Sequence, residues 1–401
     1  MKFVRILLFW AVFCSCAIPE PWVPEKTSAG IVCEVSFDPY VSEQLVVELI
    51  KNSEKTVEMA LYGFSNEKIA DELVNASKRG VVVRCVTDYD SQNEEGWKIL
   101  FDAIKQGERG LDVRLVNLNG IMHNKYIIVD GKNVVTGSTN FTSGMFKHFN
   151  NLVVFDSQSM ALDFVKDFDV LYAGFSGPDK GCSLDLNSDN NGFNRLYGDG
   201  VRWSEKNHVV DDLSVAVYFT PYRAIFPSYL ADSPRTFSFF DYDIGTESCA
   251  SYANAMNTVF ALIELAKHKI YILSFAFTDK VMMDLLADAT ERGVEVNVCS
   301  DYSQFRSSYS HSGKSVEALA EKINSFKLCR KDDGGLLHHK VILIDGDIVV
   351  LGSLNFSSNA VNSNDENFLI IKNAESLYGL FLAEAGRVEK YCREIEAADA
   401  L

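Results

Sequence analysis

The sequence predicts an α/β protein built from two tandem domains that an internal duplication relates by a pseudo-twofold. Two apolar segments rich in β-branched and aromatic residues, 57–65 and 270–278, match each other and are typical of buried strands. Each is followed by an amphipathic helical pattern that ends in Arg-Gly, at 79–80 and 292–293, where glycine suits a helix C-cap. A second apolar strand follows in both halves, so each half contains a βαβ unit with parallel strands.

The repeat also predicts the domain boundaries. The chain has 401 residues, which is long enough for two domains of ordinary size. We place one domain at 34–175 and the other at 213–401, and we assign the polar, Gly- and Asn-rich stretch 176–212 as a linker. The segment near 221–250 has no counterpart in the first half, so we interpret it as an insertion that borders the active site.

The first residues predict an export signal over 1–16. Lys2 and Arg5 precede an apolar run that is too short to cross a bilayer. Three forms stay open: a lipoprotein signal with Cys16 as the lipidated residue, an ordinary cleaved signal, and an uncleaved N-terminal anchor. We expect an exported protein in the periplasm or associated with the cell envelope.

Composition narrows the choice of partners. A net charge of −17 repels nucleic acid and anionic membranes at long range, which disfavours a non-specific nuclease unless a local basic cleft overrides it. Cys85 and Cys299 lie in apolar, strand-like runs, where buried free thiols are expected. No cysteine and histidine spacing typical of structural zinc occurs. The sequence does not specify an oligomeric state.

One polar motif occurs in each half with the same internal spacing. The first half carries it as His123, Lys125, Asp130, Gly137, Ser138 and Asn140. The second half carries it as His338, Lys340, Asp345, Gly352, Ser353 and Asn355. Such a set of fixed residues at fixed offsets arises by chance at far below about one position in a million. Two copies inside a duplication therefore indicate a functional site.

A hairpin inside each motif is expected to gather these side chains. His123 and Lys125 are two apart and share one face of a strand, as do Ser138 and Asn140. The turn signal at 130–133 predicts a hairpin that brings Asn140 beside His123 and Ser138 beside Lys125. All four polar side chains would then face the same way.

This residue set suits phosphodiester chemistry. Two Lys and two Asn can surround a phosphate, with Ser138 and Ser353 in support, and two His can divide the roles of nucleophile and general acid. The motif carries no carboxylate cluster of the kind that holds Mg²⁺ or Zn²⁺, so we expect no metal and no other cofactor. His339 falls on the opposite strand face and is interpreted as structural.

The two motifs resemble the HKD motifs of the phospholipase D (PLD) superfamily. The matching segments read MHNKYIIVDGKNVVTGSTNFT and LHHKVILIDGDIVVLGSLNFS, and the resemblance covers most of the chain from about residue 34. It implies two PLD-like α/β domains, one active site at their interface, and a covalent phosphohistidine formed without metal. One of His123 and His338 would be the nucleophile and the other the general acid, with His123 favoured as nucleophile. Within the catalytic motifs, Asp130 and Asp345 would be structural orienters.

The halves differ downstream of the motifs. Glu366 matches the acidic residue with which the family orients a histidine, whereas Asn150 stands at the equivalent position of the first half. A carboxylate favours the imidazolium more than an amide does, so the two catalytic histidines are expected to differ in basicity.

Three functions stay open. They are phospholipase D-type hydrolysis of phospholipids, an exported HKD-family endonuclease, and a cardiolipin synthase-like phosphatidyl transferase. The acidic charge and membrane attachment through lipidated Cys16 favour a phospholipid over nucleic acid, although another phosphodiester also fits. The two N-terminal membrane helices common in cardiolipin synthases are missing, which disfavours the transferase.

Overall fold

In a computed structural model of the chain, the structure describes residues 33–116, 120–173, 208–210, 212–220, 237–239, 242–244 and 256–395. The predicted signal with Cys16, most of the predicted linker and most of the predicted insertion lie outside these residues. Within the described ranges, no helix has both the length and the apolar character needed to cross a membrane.

The first half is a seven-stranded mixed sheet with helices. Its strands are β1 Cys33–Ser36, β2 Thr56–Leu61, β3 Val82–Asp88, β4 Leu111–Val116, β5 Lys125–Val129, β6 Asn133–Gly137 and β7 Leu152–Asp156. Its helices are α1 Pro39–Lys51, α2 Glu67–Lys78, α3 Glu95–Lys105 and α4 Gln158–Tyr172. The strand order is β1-β7-β6-β5-β2-β3-β4.

The second half is a nine-stranded sheet. Its strands are β8 His208–Val210, β9 Leu213–Thr220, β12 Lys269–Ser274, β13 Glu295–Asp301, β14 Ser325–Cys329, β15 Lys340–Ile344, β16 Ile348–Gly352, β17 Glu366–Lys372 and β18 Cys392–Glu394, and a separate pair is formed by β10 Phe237–Phe239 and β11 Tyr242–Ile244. Its helices are α5 Met256–Leu265, α6 Lys280–Glu291, α7 Tyr302–Ser308, α8 Lys314–Ala320, α9 Ser358–Asn362 and α10 Glu375–Val388.

The two sheets repeat one topology. The order β7-β6-β5-β2-β3-β4 in the first half recurs as β17-β16-β15-β12-β13-β14 in the second. As predicted, β2 and β3 pair in parallel, and so do β12 and β13. The predicted α/β fold with two duplicated domains is confirmed. Strand β8 pairs with β9, so the second sheet includes residues that the sequence analysis assigned to the linker.

The crossover helices begin and end in the same way in both halves. The Asn66 side chain accepts a hydrogen bond from the backbone N–H of Ile69, the third residue of α2. The Asp279 side chain accepts one from the backbone N–H of Met282, the third residue of α6. Gly80 and Gly293 follow these helices with φ of +96° and +91°, a conformation that glycine adopts without strain.

One buried apolar cluster joins the halves. It includes Tyr126 and Phe164 of the first half and Leu343 and Phe381 of the second, all fully buried. Two further clusters each belong to one half. Because the central cluster is shared, its burial stabilises the halves as one body and fixes the relative position of their two motifs.

Candidate active site

The β5–β6 hairpin has the predicted turn but a different register. Tyr126 pairs with Thr136, which places Lys125 opposite Gly137 rather than Ser138. The predicted pairing is therefore wrong by one residue, because the loop holds three residues and not two. The β15–β16 hairpin shows the same shift.

Glycines bring the motif residues together in spite of this shift. Gly137 and Gly352 have φ of +140° and +156°. A Cβ atom at Gly137 would lie 2.4 Å from the Asn151 carbonyl oxygen, and one at Gly352 would lie 2.3 Å from that of Asn367. Glycine therefore allows each motif to pass close to the backbone of the neighbouring strand, β7 or β17. Beyond this glycine the side chains no longer alternate between the two faces of the sheet.

Asp130 and Asp345 lie at the turn ends of β5 and β15, away from the histidines. The Asp130 carboxylate accepts backbone N–H groups of Glu54, Lys55 and Thr56 at 3.0, 2.7 and 3.0 Å. Asp345 receives the same three bonds from the residues that lead into β12. Burial raises the pKa of each carboxyl, but these amide bonds outweigh it and hold the pKa low. Both aspartates therefore join the turn of the hairpin to the neighbouring strand.

The two motif histidines, His123 and His338, lie at the contact between the two halves. The His123 backbone N–H donates to the Asp365 carbonyl at 2.8 Å, and the His338 N–H donates to the Phe149 carbonyl at 3.0 Å. The backbone of each histidine is thus held by the opposite half. Both side chains are buried, with 6% of each residue exposed.

The orienting groups are also exchanged between the halves. The Nδ1 of His123 lies 2.8 Å from a carboxylate oxygen of Glu366, and the Nδ1 of His338 lies 2.8 Å from the carboxamide oxygen of Asn150. These contacts therefore indicate which of the two histidines has the group that favours its basic, protonated form. His123 has the carboxylate and His338 has the neutral amide.

Burial and cationic neighbours lower the pKa of both imidazole rings and so disfavour their charged forms. Burial lowers the pKa of His123 to about 4, opposed by Glu366 and reinforced by Lys125. Burial also lowers the pKa of His338 well below its ordinary value, and Lys340, Lys125 and His123 lower it further. These mutual effects place both histidines and both lysines in one electrostatic environment.

The lysines are buried beside the histidines. Lys125 Nζ donates to the His123 carbonyl at 2.7 Å, and Lys340 Nζ donates to the His338 carbonyl at 2.8 Å. Burial lowers the pKa of Lys125 to about 7, and burial together with Lys125 lowers that of Lys340 well below its usual range. An incoming anion would favour the charged form of both.

The serines and asparagines divide into two roles. Ser138 Oγ donates to Asn150 at 3.1 Å and Ser353 Oγ donates to Glu366 at 2.7 Å. Both hydroxyls contact the orienting groups, and Ser353 Oγ also lies 3.2 Å from the Asn367 carbonyl oxygen. The phosphate contact expected of the two serines from sequence stays a prediction. The Oδ1 atoms of Asn140 and Asn355 are buried and have no hydrogen-bond partner among the described residues.

Three aromatic side chains also border the site, and the sequence analysis did not predict them. The ring of Tyr62 lies 5.1 Å from that of His123. The rings of Phe275 and His148 lie 4.7 Å and 5.9 Å from that of His338. Tyr62 and Phe275 occupy equivalent positions in the two matching strand segments, and this alignment was the signal that could have found them.

Two HKD-type half-sites that exchange their orienting groups across one interface define the class of two-motif, PLD-fold proteins. The comparisons agree. The family described as cardiolipin synthase, PLD-like domain, matches residues 46–172 and 259–382. The chain belongs to this family, within the phospholipase D superfamily.

Similar proteins match parts of the chain. A phospholipase D of Rickettsia conorii is 32% identical over 127 residues, which cover 31% of this chain and 61% of that protein. A mitochondrial cardiolipin hydrolase of Xenopus laevis is 28% identical over 172 residues, which cover 43% and 78%. The chain thus spans about three fifths of the length of the Rickettsia phospholipases D that it matches, 61% in this example.

Among solved structures, the phosphatidylserine synthase of Haemophilus influenzae has a TM-score of 0.62 at 15% identity, over 91% of this chain and 87% of that chain. The polyphosphate kinase of Porphyromonas gingivalis has a TM-score of 0.58 at 11% identity, over 92% and 49%. These likenesses concern the fold.

Proposed function

We propose that this protein is a phosphodiesterase that hydrolyses phospholipids through a covalent phosphohistidine. The exchange of orienting groups carries the proposal, since Glu366 holds His123 and Asn150 holds His338. Two imidazoles in unequal settings at one interface are what a nucleophile and a general acid require.

His123 is the proposed nucleophile. Its Nδ1–H donates to the Glu366 carboxylate, which leaves the Nε2 lone pair available to attack phosphorus. The same carboxylate stabilises the positive charge that the ring gains when Nε2 bonds phosphorus. The low pKa of His123, about 4 because of burial, keeps the ring neutral before attack.

His338 is the proposed general acid. Its Nδ1–H donates to the neutral Asn150 amide, so its imidazolium is stabilised less than that of His123 and releases its Nε2 proton more readily. The phosphodiester anion favours protonation of His338 in the complex. The departing alcohol takes that proton as the P–O bond breaks. His338 then takes a proton from water, whose oxygen bonds phosphorus as the P–N bond to His123 breaks.

Four side chains are proposed to hold the phosphate oxygens. Lys125 and Lys340 would neutralise their charge, and Asn140 and Asn355 would donate from the amide nitrogen. The two lysines are buried, and in such surroundings charge-assisted hydrogen bonds are stronger than in water.

A phospholipid is the proposed substrate. The net charge of −17 disfavours the approach of nucleic acid. The names of the similar proteins, phospholipase D in Rickettsia and cardiolipin hydrolase in Xenopus, point the same way.

The test is to incubate the purified protein with phospholipid vesicles, with and without glycerol, and separately with DNA and RNA. We expect phosphatidate and a free head group in water alone. Product that forms only with glycerol would identify a transferase, and cleavage of nucleic acid alone would identify a nuclease. His123→Ala should abolish turnover, while His268→Ala, at an exposed histidine, should retain it.

We also propose export and attachment to the cell envelope through Cys16. The Cys329–Cys392 disulfide supports this, because disulfides persist in oxidising compartments. Labelled palmitate should be incorporated into the full chain and not into Cys16→Ser. Activity that stays with the cytoplasmic fraction would overturn the proposal.

A further inference from the structure

A chain of buried polar contacts begins at the residue after His338. His339 is fully buried, and its Nε2 lies 2.9 Å from Glu384. The Arg387 guanidinium donates to both oxygens of Glu384, at 2.6 and 2.7 Å. On the other side of the ring, Asn151 Nδ2 donates to His339 Nδ1 at 2.9 Å. This series of contacts therefore runs from the half-exposed Arg387 side chain, in the second half, to Asn151 in the first half.

Asn151 connects this chain to the group that orients His338. Its backbone N–H donates to Ser138 Oγ at 3.0 Å, and its carbonyl accepts from the Ser138 N–H at 3.1 Å and from Thr139 Oγ1 at 2.9 Å. Ser138 donates in turn to Asn150, which holds His338 Nδ1. Asn151 therefore connects His339, which its side chain contacts, to the Ser138 and Asn150 pair, which its backbone contacts.

A second contact leads to the same histidine. The Arg387 guanidinium carbon lies 4.7 Å from the centre of the Phe149 ring. The Phe149 carbonyl accepts the His338 backbone N–H. Arg387 thus contacts the side-chain network and also the ring of the residue whose carbonyl holds the His338 backbone.

The described part of the first half has a different arrangement. Asn124 occupies the position of His339, and both polar atoms of its carboxamide are buried without a hydrogen-bond partner among the described residues. Asn367, the counterpart of Asn151, donates to Thr136 at 2.6 Å instead. Among the described residues, the extra contacts therefore serve the histidine whose orienting group is a neutral amide.

We propose that His339, supported by Glu384 and Arg387, is a positioning residue for His338, and that it acts across the interface through Asn151 and Asn150. The inference rests on the proposed function, because His338 is taken there as the general acid. A carboxamide attracts the imidazole less strongly than a carboxylate does. The Asn150 carboxamide therefore depends on its neighbours to hold it in place against His338, whereas at Glu366 the negative charge itself attracts His123.

The test compares His339→Phe with His339→Gln, which can still donate to Glu384 and accept from Asn151. The matched control is His208→Gln, since His208 is a buried histidine paired with Asp163 at 2.8 Å on the outer strand β8. Alcohol release in the first turnover is measured with phosphatidylcholine, whose choline needs a proton, and with phosphatidyl-p-nitrophenol, whose leaving group does not.

His339→Phe should slow choline release by about tenfold and should leave p-nitrophenol release nearly unchanged. Tenfold is the lower end of the range for residues that orient the groups of a site without touching its ligand. His339→Gln should restore most of the loss, and His208→Gln should change neither rate. Equal slowing of both substrates, or of neither, would overturn the proposal.

A readout without substrate separates this inference from the proposed function. The ¹⁵N NMR shifts of His338 report which ring nitrogen carries the proton. We expect Nδ1–H in the wild type and in His208→Gln, and a mixture of tautomers in His339→Phe. If the wild type releases no alcohol from either lipid, the proposed function fails, and an unchanged His338 tautomer in His339→Phe would overturn the positioning role by itself.

Discussion

The Nδ1 atom of His123 lies 2.8 Å from a carboxylate oxygen of Glu366, although 243 residues separate the two in the chain. His338 and Asn150 form the equivalent contact at 2.8 Å across 188 residues. Neither half orients its own histidine. The two histidines can therefore gain these contacts only after the two halves have folded against each other.

Replacing Glu366 tests the nucleophile. Glu366→Gln keeps a hydrogen-bond acceptor for His123 Nδ1 but removes the charge that stabilises the ring once Nε2 bonds phosphorus. We expect phosphohistidine formation to slow by about 10- to 100-fold. The burst of p-nitrophenol from a p-nitrophenyl diester measures this step.

Asn150→Asp is the matched variant on the other histidine. It adds a carboxylate beside His338, so it should raise the pKa of His338 and leave the p-nitrophenol burst intact. A burst that is lost in Asn150→Asp and retained in Glu366→Gln would reverse the two roles.

Replacing the histidines themselves separates covalent from proton-transfer chemistry. His338→Ala should still form the adduct with a p-nitrophenyl diester, because that leaving group departs without a proton, whereas His123→Ala should form none. With an alkyl leaving group both should lose turnover severely, since general acid catalysis supplies about 10²–10⁴-fold. Mass spectrometry of the acid-labile adduct detects the difference. Full activity in both variants would refute the catalytic interpretation.

Much of the fold follows from local sequence. The strand, helix and Arg-Gly pattern predicted parallel strands at β2–β3 and β12–β13, and the structure has them. Cys85 and Cys299 are buried and unbridged, as expected from their apolar runs. These features depend on periodicity and capping, which act over short distances.

The site was harder to predict because its contacts are long-range. The register error at Lys125 arose from a three-residue loop whose Asp130 has φ of +55°, a conformation that the turn signal alone does not reveal. Motif spacing also could not show that Glu366 would bind the histidine of the other half. Such an exchange depends on how two separate sheets meet.

Chelation tests the expected independence from metal. Glu366 contacts His123 but is already bonded to that ring and to Ser353, and the described residues around the two histidines hold no cluster of carboxylates for a hard divalent cation. Hydrolysis of a soluble p-nitrophenyl diester should survive EDTA unchanged. A soluble substrate is required because Ca²⁺ can gather anionic lipids and so mimic a catalytic requirement. Activity that disappears in EDTA and returns with one divalent ion would contradict the prediction.

The Cys329–Cys392 disulfide should stabilise the C-terminal strand. It joins directly opposed residues of β14 and β18 across a sequence separation of 63. The loop-closure relation gives about 4 kcal/mol for a loop of this length. Dithiothreitol should lower the free energy of unfolding of the wild type towards that of Cys392→Ser, and should have no effect on Cys392→Ser itself. Equal shifts in both proteins would show that the reductant acts elsewhere.

The lowered pKa of Lys125 predicts how anion binding depends on pH. Burial lowers it to about 7, so the side chain is charged below pH 7 and becomes neutral as the pH rises through that value. A bound dianion stabilises the charged form, so binding raises the pKa and takes up protons. Sulfate suits the test because its own charge is constant from about pH 5 to 9. Its affinity should be full below pH 7 and should fall above it.

Calorimetry at pH 7.5 in two buffers of different ionisation enthalpy should show net proton uptake by the wild type. Lys125→Met should bind sulfate more weakly and take up fewer protons. Lys132→Met removes a lysine that pairs with Asp156 at 2.7 Å beside the hairpin turn, away from the histidines, and should behave as the wild type. If the affinity does not change between pH 6 and 9, or if Lys125→Met takes up as many protons as the wild type, Lys125 does not bind the anion.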